Sequence, residues 1–558
     1  MAFTYRFRDP IHSPLDFGGC PPNYRRYIEG GMLVERDVQV MMRDGARINV
    51  DLFRPADENL KVPPLIAWSP YGKHISTTAF LSRAYPTSGV DLDSLSKYTC
   101  FESPDPVQWV PKGYAVIVAD IRGMWHSEGN ATYISPKEME DEYDLIEWAG
   151  TQPWSSGKVG LSGVSYLAVS QWRVAALNPP HLAAINPWEG WSDTYREVIY
   201  HGGIPSSFWP YMHDRWGKST TRIEDLLKES EEHPFFDDYW RSKAAQLGDI
   251  KVPAYVVASW SDHGLHTRGT LEGFKKISSE RKWLEVHGRK KWAYYYDPAS
   301  LKRQTAFFDH ILKGVDNEVL DWPRVNLEVR QKYYVGFTQT EKEWPIARTK
   351  YTKFYLNAED LTLNKEAPLN PAQCSYNALG VGSTNNCLTF SYKCEESMDL
   401  IGHMKLKVYM QADGSDDMDI FLNVKKLNEA GEETRFAYYA QYDDGPVACG
   451  WIRASHRELL EELTTEFQPI LAHQREQKLE PGSVECLNIE ILPSGTRFEK
   501  GETLCVAIQG HDFNQYPIDQ VYARHDNNTV NKGRHIIYAG GIYDSYLLVP
   551  IIPKSGTV

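Results

Sequence analysis

Residues 157–172 read GKVGLSGVSYLAVSQW. The apolar run Val159-Gly160-Leu161 leads into Gly163-Val164-Ser165-Tyr166-Leu167, and after Ser165 no Gly or Pro interrupts the chain until Pro179. This pattern predicts a strand, a sharp turn and a helix. A serine on such a turn stands at the carboxyl edge of a parallel sheet, its Oγ exposed and the next backbone N–H aimed at the same point. One turn then supplies a nucleophile and half of an oxyanion hole. The usual motif is G-x-S-x-G. Here Leu167 takes the place of the last glycine and Ala168 follows, so the motif alone would also fit an ordinary strand-to-helix turn.

Working outward, residues 33–56 alternate apolar positions around Asp44-Gly45, a dipeptide suited to a tight turn, and predict an opening β-hairpin. Pro64 to Trp68 and Tyr114 to Asp120 read as buried strands apolar on both faces, as in a parallel sheet covered by helices. Between them, residues 73–108 have little periodicity, and a loop of that length in a folded domain is usually functional. Residues 138–149 carry helical spacing behind an acidic first turn. Further strands are expected at Pro253 to Ser259 and Lys282 to Val286, and a helix at Pro298 to Lys313. Strands alternating with helices predict a doubly wound α/β sheet.

Residues 188–250 interrupt that alternation with a high density of Trp and Tyr, and read as a helical insertion that walls a pocket. Trp188, Trp191, Trp209 and Trp260 are the candidate pocket residues. Beyond Pro323 come many short alternating runs, with one expected helix near Arg457 to Phe467, which together predict a β-sandwich. A chain of 558 residues is long enough for two or three domains. The expected division is 1–187 with 251–320, an inserted 188–250, and 321–558.

Composition narrows the partners. Sixty Lys plus Arg against 74 Asp plus Glu give a net charge of −14, which argues against nucleic acid or an anionic membrane surface. The first residues, MAFTYRFRDPIHSP, lack the apolar core of an export signal. No stretch approaches the roughly 18 apolar residues of a membrane span. A cytoplasmic protein is expected, with a homodimer left open. The eight cysteines form no C-x-x-C pair, so neither a metal site nor a disulfide framework is expected.

Acyl transfer needs a base for the serine, a carboxylate to orient that base, and donors for the oxyanion. Ser165, Asp262 and His287 each end a predicted strand, in the chain order Ser, Asp, His that this kind of sheet uses. His263 and His266 lie beside Asp262 and compete with His287, which is preferred because a histidine adjacent in sequence is expected to point away from the acid. Tyr71, just after the strand before the long loop, is the expected second oxyanion donor, with the Tyr166 N–H as the first. Asp120, Arg122, Ser127 and Glu128 are read as a structural ion-pair and turn cluster.

These residues, together with Ser69-Pro70-Tyr71, Asp120-Ile121-Arg122-Gly123, Trp260-Ser261-Asp262 and Gly450-Trp451-Ile452-Arg453-Ala454, resemble the serine hydrolases of the cocaine esterase (CocE/NonD) type, grouped with X-Pro dipeptidyl-peptidases and α-amino-acid ester hydrolases. The resemblance covers nearly the whole chain. It implies an α/β-hydrolase domain with a helical cap, a carboxyl-terminal jelly roll beside the active site, and no cofactor or metal. It also implies Ser165 as nucleophile, Asp262 as acid, and Tyr71 with the Tyr166 amide as oxyanion hole. One departure stands out. The family commonly sets its histidine in a G-P-W-x-H stretch, whereas this chain reads Val286-His287-Gly288-Arg289-Lys290-Lys291-Trp292.

The expected reaction is cleavage of an ester, lactone or amide of a bulky, partly apolar small molecule through an acyl-enzyme on Ser165. The alternatives are an X-Pro dipeptidyl-peptidase, an acyltransferase using the same three residues, and an inert binding protein.

Overall fold

The strand Ala115–Asp120 is buried along its whole length, and its neighbours explain why. In the computed structural model, which describes residues 3–379, 385–514, 516, 524–525 and 529–553, it lies inside a mixed sheet. The ends of the expected domains, residues 1–2 and 554–558, lie outside the described residues. Crossing the sheet, the order runs Met32–Met41, Arg47–Pro55, Ala115–Asp120, Pro64–Ser69, Val159–Val164, Leu182–Trp188, Ala254–Ser259, Lys282–His287 and Val325–Lys332. The strands from Ala115–Asp120 to Val325–Lys332 are mutually parallel, and the opening hairpin joins them antiparallel. Parallel strands need helical crossovers, and these coat both faces of the sheet.

Local chemistry sets the crossovers. Ser135 caps the helix Pro136–Thr151 by accepting from the Glu138 N–H at 3.0 Å, and Pro136 at the first position needs no N–H partner. Glu138 turns inward instead of facing water, accepting from Trp68 Nε1 at 3.0 Å and from the Tyr166 hydroxyl. Asp297 caps the helix Pro298–Lys313, which ends at Gly314 in the left-handed region (φ 72°).

The sheet does not stop at residue 320. Val325–Lys332 pairs in parallel with Lys282–His287 and Val335–Glu341 adds an antiparallel edge, so the expected boundary at 321 falls inside the sheet. After that edge the chain is β-rich and antiparallel. Met398–Asp413 pairs with Glu485–Phe498, Arg534–Ala539 and Tyr546–Ile551, while Thr503–Gln509 pairs with Cys387–Lys393 and Asp419–Leu427. Residues of both groups, such as Leu406, Leu547, Leu422 and Val506, share one apolar core. The helix expected near Arg457 to Phe467 is absent; only a 3₁₀ turn, Ala454–His456, precedes an irregular stretch. There the Thr464 and Thr465 hydroxyls accept from the Ile470 and Gln468 backbone N–H groups at 3.0 Å, offering the backbone partners that compete with a helix.

The insertion between Trp188 and Ala254 holds short helices, including Phe208–Arg215, Leu226–Glu232 and Asp238–Ser242. Among the described residues, no helix is long and apolar enough to cross a membrane.

Candidate active site

Ser165 links the strand Val159–Val164 to the helix Tyr166–Ala175 with φ 59° and ψ −117°, a backbone region costly to any residue with a side chain. The surroundings hold it there. Its N–H donates to the Trp188 carbonyl at 3.0 Å, and the Val164 N–H donates to the Glu102 carbonyl at 3.2 Å. Gly163 (φ 147°) meets the helix so closely that a Cβ would stand 2.5 Å from Leu167 Cβ. A side chain is tolerated at 167 because there is none at 163.

Asp262 and His266 lie on one turn of chain. After the strand Ala254–Ser259 the backbone coils so that the His266 and Thr267 N–H groups donate to the Asp262 carbonyl at 3.1 and 3.2 Å. Residues four apart on such a turn face the same way. His266 Nδ1 is hydrogen-bonded to Asp262 Oδ2, and His266 Nε2 lies 3.1 Å from Ser165 Oγ. Trp191 stacks against the His266 ring, with centroids 5.6 Å apart. Lys291 completes the group, its buried Nζ 3.1 Å from Asp262 Oδ2 and 3.3 Å from His266 Nδ1.

The electrostatics follow from this packing. Burial works against the Asp262 carboxylate, but Lys291 and His266 hold it well below the usual carboxylate range. Burial, with the Lys291 ammonium adding to it, pushes His266 down to about 4 despite Asp262. At neutral pH the serine therefore faces an unprotonated imidazole nitrogen.

The structure brings Ser165, Asp262, Tyr71 and Tyr166 to this place. Burial pushes the Tyr71 phenol well above its usual range, and its polar neighbours include Ser165 and the Trp216 indole. Tyr166 opens its helix, where the first N–H groups have no intrahelical acceptor, and its hydroxyl is held away at Glu138 and the Ile134 N–H.

His287 is a correction. It ends the strand Lys282–His287 but turns from the serine, with Nε2 3.1 Å from Glu189 Oε1, Nδ1 accepting from the Arg289 N–H at 3.1 Å, and its ring against Tyr294. The neighbouring His263 is turned away too, tied to the Pro493 carbonyl and the Cys449 N–H. His266 takes the place expected of His287. The spacing Asp262-x-x-x-His266 was the signal for it, since one turn of helix turns sequence proximity into contact.

The four tryptophans are a second correction, because none of them lines the cavity. Trp188 packs against Tyr255 and Tyr295, Trp191 backs His266, Trp209 packs on Trp216, and Trp260 donates to the Glu328 carbonyl at 2.8 Å. All four are at most 1% exposed, so each spends its large apolar ring on the core. The cavity over Ser165, about 710 Å³, is instead walled by Tyr71, Phe80, Phe101, Phe208, Trp216 and Trp292, with Glu102 and Lys291 as polar groups in the wall. The loop 73–108 supplies one side and the insertion another. Tyr439 and Gln441 reach in from the carboxyl-terminal half, where the Tyr439 N–H donates to the Ser261 carbonyl at 2.7 Å. The cluster at 120–128 is structural: Arg122 pairs with Asp141 and Asp44, and Ser127 donates to the Asp120 carbonyl at 2.7 Å.

A parallel sheet with a strained serine at a strand end, faced by an imidazole and a carboxylate, defines the α/β-hydrolase class. The family described as X-Pro dipeptidyl-peptidase (S15 family) matches residues 44–290, and the X-Pro dipeptidyl-peptidase C-terminal non-catalytic domain matches 317–548. A CocE/NonD family hydrolase from Staphylococcus aureus is 40% identical in sequence; its crystal structure superposes with a TM-score of 0.91 over 96% of this chain and 98% of that one. The chain belongs to the CocE/NonD family of hydrolases. The cocaine esterase of a Rhodococcus species is 28% identical over 59% of this chain and 63% of its own length. The Xaa-Pro dipeptidyl-peptidase of Ligilactobacillus salivarius is 22% identical over 65% of this chain and 55% of its own. The chain thus spans less than two thirds of either of these two relatives.

Proposed function

We propose that the chain is a serine hydrolase that forms an acyl-enzyme on Ser165. The observation that carries this reading is the continuous contact from Ser165 Oγ to His266 Nε2 and from His266 Nδ1 to Asp262. His266 takes the hydroxyl proton as Oγ attacks the carbonyl, and returns it to the leaving group as the bond breaks. Asp262 keeps the other proton on Nδ1, so that Nε2 is the basic nitrogen. The Tyr166 N–H and the Tyr71 hydroxyl receive the developing oxyanion. Water then repeats the cycle and releases the acid.

The aromatic walls favour a bulky, partly apolar ester or lactone, and the cavity volume is that of a small-molecule site. We read residues 188–250 as the cap. The antiparallel carboxyl-terminal half is read as a jelly roll, with the division placed after Glu341 because the sheet runs that far. A fluorophosphonate probe should label the wild-type chain and not Ser165→Ala, and a nitrophenyl ester should be hydrolysed only by the former. Labelling that survives the substitution would remove Ser165 from the mechanism.

Glu102 favours a second reading, an amide substrate with a free amine. The residue is 2% exposed in the cavity wall; one carboxyl oxygen accepts from Trp292 Nε1 at 2.8 Å and the other has no partner among the described residues. Burial pushes it up to about 8, and a substrate ammonium beside it would draw the proton off. Turnover of an X-Pro anilide faster than of a nitrophenyl ester would favour this reading, and Glu102→Gln would then raise KM for the anilide alone.

A further inference from the structure

Behind Asp262 lies another layer of buried polar side chains. Glu189 follows the strand Leu182–Trp188 with a positive φ of 47°, and its N–H donates to the Val257 carbonyl at 2.9 Å. Glu189 and His287 are each 1% exposed. Because the Arg289 N–H donates to His287 Nδ1, the ring's own proton belongs on Nε2, the nitrogen that lies 3.1 Å from Glu189 Oε1. On its other side the Glu189 carboxyl is within hydrogen-bond reach of Asp262. Asp262 Oδ1, both Glu189 oxygens and His287 Nε2 have no hydrogen-bond partner among the described residues, the His287–Glu189 approach being close enough for one but not aligned as one.

Two carboxyl groups in contact and out of water cannot both be ionised, so one keeps a proton. Asp262 faces two cationic or donating groups, the Lys291 ammonium and the His266 Nδ1–H. The direct partners of Glu189 are Asp262 and the neutral His287 ring, with Lys291 acting on it only through space. The charge therefore settles on Asp262 and the proton on Glu189. That assignment gives the orphaned Asp262 Oδ1 a donor and sets Glu189 beside His287 without a second charge.

We propose that Glu189 is held as a neutral carboxylic acid that donates to Asp262 Oδ1 and is backed by the neutral His287 ring, its Nε2 3.1 Å from Glu189 Oε1, which makes Glu189 and His287 positioning residues for the Asp262–His266 pair. The line of contacts runs from the Arg289 N–H through His287, Glu189, Asp262 and His266 to Ser165. Burial raises Glu189 well above the carboxylate range and pushes His287 down to about 4, against Glu328 and Glu285 and with Arg289 and Arg303. A neutral Glu189 fixes the Asp262 carboxylate without placing a second negative charge near His266. The imidazole keeps its low proton affinity while its orientation is secured.

The proposal rests on the reading of Ser165, His266 and Asp262 given above, and Ser165→Ala tests that reading separately by its loss of probe labelling. For the relay itself, the variants are Glu189→Gln and Glu189→Leu, assayed for kcat, KM and the acid limb of the pH profile on a nitrophenyl ester. Gln keeps an N–H for Asp262 and an oxygen beside His287 and changes no charge if Glu189 is protonated. Its acid limb should coincide with wild type, with kcat within about threefold. Leu strips Asp262 Oδ1 of its donor and should lower kcat about 10- to 100-fold with KM unchanged. The infrared spectrum of the wild-type chain should contain a protonated-carboxyl C=O band that Glu189→Gln lacks, a readout that stands even if the Leu variant does not fold. An acid limb moved down by about one pH unit in Glu189→Gln would mean that an anion had been removed. That shift, an absent band, or wild-type kcat in a folded Glu189→Leu would each overturn the proposal.

Discussion

Two neighbouring strand ends of the same sheet take opposite parts. At Ser259 the chain coils at once, so Asp262 and His266 meet across one turn and both face Ser165. At His287 the strand ends in a histidine that faces inward to Glu189, and only four residues later does the chain return to the site, bringing Lys291. In the proposed mechanism the first end carries the proton chemistry, and the second carries the groups that set its electrostatics. A histidine at the carboxyl edge of a sheet is thus defined by what its two nitrogens touch, and position along the edge does not decide its role.

Four outcomes would break or sharpen that division. Ser165→Ala should lower kcat by about 10⁴-fold or more while leaving the fold intact, because both strand ends serve this hydroxyl. Asp262→Asn should cost about 10³- to 10⁴-fold in kcat, since the amide favours the wrong imidazole tautomer. Lys291→Met should act on pH more than on rate. His266 is unprotonated and active above its depressed value of about 4, and activity falls as pH drops through it. Removing the cation beside it raises that value, so the acid limb should move up by about one pH unit in kcat/KM profiles. An unmoved limb would detach Lys291 from the site.

The smallest effect is on stability. His266 and His287 both have folded-state values near 4, below the usual 6.5, so their neutral burial contributes stability in full above about pH 6.5. That contribution is lost as pH falls from there toward 4, and thermal unfolding followed by circular dichroism should show a falling Tm over this window. Replacing either histidine with Gln should flatten the fall.

Much of the catalytic half was legible because its signals are local. The buried runs 115–120 and 254–259, the capped helix at 298–313, and the serine between a Gly-bearing strand and a Pro-free helix each carry their own periodicity or punctuation. Asp262 and Tyr71 were legible as residues just past strand ends. His266 was not, because the expectation that a sequence neighbour points away holds for adjacent residues and fails at a separation of four on a coiled turn. The tryptophans misled because aromatic density marks burial before it marks a pocket; of the rings that do wall the cavity, Tyr71, Phe80, Phe101 and Trp292 come from outside the insertion and Phe208 and Trp216 from within it. Lys291, Glu189 and Glu102 lie 29, 73 and 160 residues from Asp262 in the chain, and no periodicity announces contacts that only the folded sheet creates.

The account turns on which imidazole serves Ser165. The most direct measurement is kcat for His266→Ala and His287→Ala on one nitrophenyl ester at pH 7, with circular dichroism to verify folding. The account predicts a loss of about 10³-fold or more for the first and no more than about 100-fold for the second. A near-wild-type rate in His266→Ala, or a larger loss in His287→Ala, would contradict it.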